Sequence, residues 1–153
     1  MRRGLDEPLA LEATYQSSWV ALTRLAFLLV GDRSEAEDIV QSAFTTAAAR
    51  WSSIDDPLAY LRRAIVNRAN DVHRRTSRAT RRVAFANEWL EAPEIDELWS
   101  KLGMLSDAQR AVIVLRYYED LELVDIAEVL NRPASTVRSD LRRALMKLKE
   151  LLT

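Results

Sequence analysis

Two basic helical stretches hold most of the side chains that could do chemistry. Residues 131–144 read NRPASTVRSDLRRA, in which hydroxyl groups and arginines alternate with apolar residues at helical spacing. Between residues 62 and 82, eight arginines accompany a single acid, Asp71. Arginine donates paired hydrogen bonds to a guanine edge or a phosphate, whereas a merely solvated helix face usually mixes both charges. The two stretches therefore favour nucleic-acid binding over a solvated amphipathic surface.

Catalysis is disfavoured by the residue types that are missing. The chain has no cysteine, three glycines and one histidine, His73, which lies inside the arginine-rich stretch. Thiol nucleophiles and thiolate metal ligands are excluded, and a glycine-rich phosphate loop cannot be built. A serine–histidine–aspartate triad would have to use His73. We therefore expect a protein that is not an enzyme, with no cofactor, no metal site and no small-molecule substrate.

Charge is distributed unevenly along the chain. The net charge is only −1, but residues 62–82 carry +7, residues 83–107 carry −5 and residues 1–57 carry −4. A basic surface of this kind can track phosphates while the acidic surfaces beside it repel them. The longest apolar runs are far too short to span a bilayer, and the lack of cysteine suits a reducing compartment. We expect a globular, cytoplasmic protein without direct membrane insertion.

Helical periodicity dominates the sequence, and there is no convincing strand. Apolar residues recur every three or four positions from residue 11 to residue 29, and Gly31 is suited to end that helix. Asp32 can cap a second helix, and Asp56 and Pro57 suit the cap and first residue of a third. The predicted core face of the second helix is Ala36, Ile39, Val40, Ala43, Phe44 and Ala47.

The C-terminal part has the pattern of a helix-turn-helix. Ser106 and Gln109 form a capping box, and Asn131 suits a left-handed turn before Pro133 begins the last helix. The predicted apolar face of that helix is Val137, Leu141, Ala144, Leu145, Leu148 and Leu152. We therefore predict an all-α protein with two small helical domains, residues 8–76 and 104–153, joined by a flexible linker at 77–103.

The last helix leaves a polar face that can read DNA in the major groove. Arg138 can donate to O6 and N7 of a guanine, and Ser139 can reach a base edge. Arg142 and Arg143 are better placed for backbone phosphates. The full reading face is Ser135, Thr136, Arg138, Ser139, Arg142 and Arg143.

Three segments together resemble the extracytoplasmic-function (ECF) group of bacterial sigma factors, in the sigma-70 family. They are GDRSEAEDIVQSAF at 31–44, DPLAYLRRAIVNRANDVHRR at 56–75 and LSDAQRAVIVLRYYEDLELVDIAEVLNRPASTVRSDLRRALMKLKELL at 105–152. The resemblance implies a subunit that directs RNA polymerase to promoters. It implies binding to core polymerase through the beta-prime coiled coil and the beta flap, and to promoter DNA, with an anti-sigma factor as inhibitory partner.

The resemblance also assigns roles to the first two segments. The second helix would dock on core polymerase, through Glu35, Asp38, Gln41, Ser42 and Thr45. The third helix would recognise and melt the minus-ten element, through Arg62, Arg63, Asn67, Asn70, Asp71, Arg74 and Arg75. The loop at 51–56 could receive a flipped base, although Trp51 in that loop also suits a core position. The last helix would read the minus-thirty-five element.

The sequence departs from the family pattern at four positions. Ser42 replaces a usual glutamate on the docking helix. Asp120 stands where glycine is frequent, Glu122 replaces a serine or threonine cap, and Asn131 replaces a turn glycine. Either Asp120 takes over the capping role or the helix after it starts without a good cap.

Two other classes of protein stay open from the residues alone. A dimeric helix-turn-helix regulator would use the N-terminal half for dimerisation or sensing and would not need a second arginine-rich helix. A helical adaptor that binds only proteins would show no salt-dependent DNA binding.

Overall fold

The computed structural model describes residues 3–75 and 100–152, and every regular element within those ranges is a helix. The first three helices are α1 (Arg3–Val30), α2 (Arg33–Ala48) and α3 (Pro57–Arg75), with a 3₁₀ turn at Trp51–Ser53 between the last two. The C-terminal half contains α4 (Asp107–Ile113), a π-helical turn (Val114–Tyr118), α5 (Leu123–Leu130) and α6 (Ala134–Leu152). The all-α prediction is confirmed, and the predicted linker lies mostly outside the described residues.

Helix ends in the N-terminal half follow the predicted capping residues. Gly31 has a positive φ of 76°, which a residue without Cβ adopts without strain. The Asp32 carboxylate accepts a hydrogen bond from the Glu35 N–H at 2.8 Å, so α2 has its N-cap. The Asp56 carboxylate accepts from the Ala59 N–H at 3.2 Å, directly before Pro57 opens α3. These ends fix where the faces of α2 and α3 point.

The buried face of α2 matches the predicted core face at every position. The buried residues of this helix are Ala36, Ile39, Val40, Ala43, Phe44 and Ala47. They pack against α1 and α3, which also contact each other, so the three helices form a bundle. Small alanines alternate with larger side chains on this face, which lets neighbouring helices approach closely.

The C-terminal half is built around two left-handed turn residues. Ser106 and Gln109 form the predicted reciprocal capping box at the start of α4. Asp120 has a φ of 56° and ends the π-helical turn, and Asn131 has φ 52° and ψ 50° between α5 and α6. Asn131 therefore does what the usual turn glycine would do. Pro133 is not the first helical residue as predicted, because α6 begins at Ala134 and the Pro133 carbonyl accepts the Val137 N–H at 3.1 Å.

The apolar face of α6 is narrower than predicted. Val137 and Ala144 are buried and Leu141 and Leu148 are half-buried, but Leu145 and Leu152 are exposed. Leu145 lies at the edge of the apolar stripe in the helical wheel, and Leu152 is in the last turn, where a helix end extends past its neighbours.

The two halves pack against each other through α1 with α4 and the π-helical turn, and through α3 with α4 and α5. Their buried apolar residues form one continuous cluster. At this junction the Arg110 side chain is fully buried. It donates to the Leu29 carbonyl at 3.1 Å and to Asp107 Oδ1 at 2.7 Å. Within the described ranges, none of the helices has the length and hydropathy that crossing a membrane requires.

The start of α5 generates a testable prediction. Glu122 occupies the N-cap of α5 but makes no side-chain capping hydrogen bond. A serine there can accept from the backbone N–H two or three residues on, so Glu122→Ser should be more stable than Glu122→Ala by about 1 kcal/mol in urea unfolding. Both changes remove the same charge, and equal unfolding free energies would show that this helix end is insensitive to capping.

Candidate nucleic-acid interface

The reading face of α6 is exposed at all six predicted positions. Successive residues of an α-helix are rotated by about 100°. On that basis Ser135, Thr136, Arg138, Ser139, Arg142 and Arg143 fall within an arc of about 160°. Val137, Leu141, Ala144 and Leu148 occupy the opposite side and hold the helix against the rest of the chain. The apolar side of α6 therefore packs against the rest of the chain, while its arginines and hydroxyl groups face the solvent.

Arg132 belongs to this surface and was missed from the sequence. It lies in the turn before α6, and its guanidinium forms an ion pair with Asp140 at 3.3 Å. Asp140 is the acid nearest the reading face, and an uncompensated carboxylate there would repel phosphate. The signal in the sequence was a cation beside a helix N-terminus with an acid two turns further on. Arg132 thus compensates the negative charge of Asp140 at the start of the reading helix.

The predicted minus-ten residues of α3 divide into two groups. Arg63, Asn67 and Asp71 are exposed and Asn70 is half-buried, and these four lie within about 100° of one another on the helix. We call them the exposed stripe of α3. The backbone of Arg74 and Arg75 continues the helix, but their side chains lie outside the described part of the structure.

Arg62 is turned away from the exposed stripe. Its Nε forms an ion pair with Glu119 of the C-terminal half at 2.5 Å, and the two side chains are 35% and 9% exposed. Arg63 makes a looser contact of 3.7 Å with Glu128 of α5. Both partners of the second pair are largely exposed, so it contributes little to stability. The structure therefore brings Arg62 to the junction between the halves rather than to the exposed stripe.

Burial raises the pKa of the Glu119 carboxyl, although the Arg62 guanidinium acts in the opposite direction. Burial also raises the pKa of the neighbouring Tyr118 hydroxyl, against the lowering effect of Arg24. Taking a carboxylate out of water disfavours its charged form unless the partner compensates fully. In the ion pair between Glu119 and Arg62, the attraction of the guanidinium offsets only part of the cost of removing the carboxylate from water.

The loop between α2 and α3 is partly anchored. Trp51 and Ile54 are half-buried and pack against the hydrophobic core, which favours the core interpretation of Trp51. The Arg50 guanidinium lies 5.9 Å from the ring centroid of Tyr60. Ser52, Ser53 and Asp55 remain exposed at the tip of the loop. A loop held at its base and exposed at its tip can receive a base without having to order itself first.

The docking face of α2 comprises Glu35, Asp38, Gln41, Ser42 and Thr45. Glu35 is half-buried and the other four are exposed. The five fall within an arc of about 120° opposite the core face. A groove of about 280 Å³ runs beside them, lined among others by Leu11, Tyr15 and Phe44. The Tyr15 hydroxyl donates to Gln41 Oε1 at 3.4 Å, which ties one docking residue to α1.

Arg68 connects α3 with the docking face and was not among the predicted site residues. Its Nε donates to Ser42 Oγ at 3.0 Å and one terminal nitrogen donates to Thr46 Oγ1 at 2.8 Å. Arg68 lies about 60° around α3 from Asp71, on the side that faces α2, and that helical angle was the signal available from the sequence. Because Ser42 is neutral where a glutamate is usual in the family, Arg68 meets a hydroxyl rather than a carboxylate there. The docking face is less acidic as a result.

Within residues 3–75 and 100–152, no group of three histidine, cysteine or acidic side chains is arranged to hold a metal ion. The geometry instead offers three polar surfaces on three helices: the reading face, the exposed stripe and the docking face. Each is carried by a helix whose opposite side is buried.

Comparison with known proteins identifies these surfaces with two family regions. Residues 15–79 match Sigma-70 region 2, and residues 102–150 match Sigma-70, region 4. The chain belongs to the sigma-70 family of RNA polymerase sigma factors. Region 2 contains the docking face and the exposed stripe, and region 4 contains the reading face. The dimeric regulator and the protein-binding adaptor are therefore not favoured.

Similarity to curated relatives places this sigma factor in the ECF group. It is 32% identical to the RNA polymerase sigma-E factor of Streptomyces coelicolor, covering 97% of this chain and 89% of that protein. It is 27% identical to the ECF RNA polymerase sigma factor SigW of Bacillus subtilis, covering 84% and 81%. Both relatives are named as sigma factors of RNA polymerase, which are regulatory subunits.

Two solved sigma-factor structures share the fold. CnrH, solved in complex with the cytosolic domain of CnrY, superposes with a TM-score of 0.71 at 28% identity, covering 95% of this chain and 88% of that one. RpoE of Bartonella quintana, solved in complex with the anti-sigma factor NepR, gives 0.73 at 24% identity, covering 92% and 95%. The second likeness concerns the fold alone.

Proposed function

We propose that this sigma factor binds core RNA polymerase through α2, opens and reads the minus-ten element with α3, and reads the minus-thirty-five element with α6. One observation carries the proposal. Each of these three helices buries one side and exposes a polar side, and each lies in a part of the chain that matches a sigma-70 region. We also propose domain boundaries at residues 8–76 and 104–153, with 77–103 as the linker.

Major-groove reading falls to the first two turns of α6. Arg138 can donate two hydrogen bonds to a guanine, and Ser139, one position on, can reach an adjacent base edge. Arg142 and Arg143 lie further from the helix start and suit phosphates. Arg132, next to the N-terminus of α6, adds a phosphate contact on the other side of the reading residues.

Minus-ten recognition falls to the exposed stripe of α3 and the loop before it. Arginines supply the sequence-independent attraction for the backbone, and Asn67, Asn70 and Asp71 offer donors and acceptors to an unstacked base. The exposed tip at Ser52, Ser53 and Asp55 lies in the loop that leads into α3, and we propose that it takes up a flipped base. Arg74 and Arg75 continue the cationic track in the sequence.

Partners follow from the surfaces and from the relatives. The docking face combines acids and amides, which complements arginines on a coiled coil such as that of the beta-prime subunit. The beta flap is the partner we propose for the C-terminal half. CnrH was solved with the cytosolic domain of CnrY and RpoE with the anti-sigma factor NepR, and we propose an anti-sigma factor for this chain too. We also propose that it acts in the cytoplasm, where core polymerase and promoter DNA are found.

The proposal is tested by run-off transcription. Sigma-free core polymerase is given this chain and a promoter library, and initiation at a defined subset of promoters is expected. If no template is transcribed while the chain binds duplex DNA as a dimer, the regulator interpretation replaces this one.

Arg138→Ala should weaken promoter-specific initiation by about 1–3 kcal/mol, because a bidentate contact to guanine is lost. The loss should be confined to promoters with guanine at one minus-thirty-five position. Arg142→Ala is the matched control, since loss of a phosphate contact weakens binding to all sequences and lowers the salt slope by about one. A uniform loss for Arg138→Ala would remove it from base reading.

Asp38→Ala combined with Gln41→Ala should weaken binding to core polymerase roughly tenfold, because the charged and amide groups of the docking face are lost. Both side chains are exposed, so circular dichroism and urea unfolding should be unchanged. Asp55→Ala, which removes an exposed acid outside α2, serves as control. Equal affinity of the double variant and the control would place the polymerase contact elsewhere.

A further inference from the structure

Arg68 lies where the exposed stripe of α3 meets the docking face of α2. Its Nε donates to the Ser42 hydroxyl at 3.0 Å, and its Nη2 donates to the Thr46 hydroxyl at 2.8 Å. Ser42 is exposed, while Arg68 and Thr46 are half-buried. On α2, Ser42 and Thr46 lie about 40° and 80° around the helix from Asp38, on the side towards α3. We call Arg68, Ser42 and Thr46 the Arg68 site.

Within the described part of the chain, the Arg68 guanidinium has no carboxylate partner. Its acceptors are the two hydroxyl groups and the Ala64 carbonyl, which lies 3.5 Å from Nη1. All three acceptors are neutral, so they satisfy hydrogen bonds but leave the unit charge uncompensated. By contrast, Arg62 and Arg132 each form an ion pair with an acid. The Arg68 site is therefore positively charged at the edge of an acidic docking face.

The Arg68 site still has hydrogen-bond donors for an incoming acceptor. A guanidinium has five N–H donors, and the three acceptors of Arg68 leave two of them. Thr46 donates its hydroxyl proton to the Ser42 carbonyl at 3.1 Å, whereas the Ser42 hydroxyl donates to no acceptor among the described residues. Accepting from a cation polarises a hydroxyl and makes it a better donor. One carboxylate can therefore accept from both Arg68 and Ser42.

The charges around the site favour a protein carboxylate over a DNA phosphate. Asp38 lies one turn before Ser42 on α2, Asp71 lies one turn after Arg68 on α3, and both acids are exposed. Acids on both sides repel a continuous phosphate backbone, but they suit a partner surface on which both charges alternate. Coiled coils carry such alternating glutamates and lysines or arginines along their flanks. A coil that offers a cation to Asp38 can offer an acid to Arg68.

We propose that the Arg68 site is a specificity determinant of the docking face and binds a glutamate or aspartate side chain of the coiled coil in core polymerase. The carboxylate accepts hydrogen bonds from the Arg68 guanidinium and from the Ser42 hydroxyl. A glutamate in place of Ser42 would itself pair with Arg68 and close the site. The inference rests on the proposed function, because it concerns the partner that docks on α2.

The test is a substitution that fills the site from within. Ser42→Glu puts a carboxylate beside Arg68, so the site is occupied before the partner arrives. Ser34→Glu is the matched control, because Ser34 is also exposed on α2 but lies about 12 Å along the helix from Ser42. Both variants add the same charge to the same helix. The affinity of each full-length variant for sigma-free core polymerase is measured by competition with the labelled, unmodified chain.

We expect Ser42→Glu to bind core polymerase about five- to tenfold more weakly than Ser34→Glu, with a smaller difference at high salt. A docking face that recognises acidity alone would bind the two variants alike. If Arg68 only tied α3 to α2, no loss would occur either, because Ser42→Glu replaces a hydrogen bond of that tie with an ion pair. Binding of Ser42→Glu that equals or exceeds that of Ser34→Glu would overturn the proposal.

Removal of the cation should abolish the effect of the added acid. Arg68→Gln should bind core polymerase about five- to tenfold more weakly than the unmodified chain. Adding Ser42→Glu to Arg68→Gln should cause no further loss, because both changes remove the same contact. A further loss of similar size would contradict the proposal. If Arg68→Gln does not fold by circular dichroism, the comparison of Ser42→Glu with Ser34→Glu decides alone.

The remaining outcomes separate this inference from the proposed function. If the unmodified chain supports run-off transcription but the two glutamate variants bind core polymerase alike, the inference fails and the proposed function stands. If Ser42→Glu instead binds core polymerase normally and its holoenzyme loses affinity for promoter DNA, Arg68 contacts a phosphate and the inference fails. If the unmodified chain does not bind core polymerase, the proposed function fails and the inference fails with it.

Discussion

The three polar surfaces of this sigma factor depend on one constraint. A helix in a small bundle buries only one side, so the residues that bind partners must lie on the opposite side. In α2 the six buried residues leave a polar arc opposite them, and in α6 Val137 and Ala144 leave the reading face. Burial of the apolar arc is what fixes the polar arc in space, because polar side chains in water contribute little to helix stability on their own. Docking and reading are thus set by core packing.

This constraint explains how much could be predicted from the sequence. Helical period and capping chemistry are local, so the core face of α2, the caps at Asp32 and Ser106 and the left-handed turn at Asn131 were all predictable. The exposure of the reading face followed from the same period. Leu145 and Leu152 were misassigned because their burial depends on what lies beside α6, which periodicity does not report.

Contacts between distant parts of the chain could not be predicted from local patterns. Arg110 is 81 positions from Leu29, and nothing around it marks an arginine destined for complete burial. Arg62 lies next to Arg63 in sequence and shares its charge, yet the structure gives the two different environments. A helical wheel separates them by about 100°, but only the packed structure shows that the side occupied by Arg62 meets Glu119.

The ion pair between Arg62 and Glu119 combines two opposing contributions that nearly cancel. Attraction to Arg62 favours the charged carboxylate, but burial raises the pKa of Glu119 and dominates. A pair whose desolvation cost approaches its Coulombic gain adds little net stability while it remains intact. The packing of the two halves therefore depends on their shared apolar cluster and on the buried Arg110 more than on this ion pair.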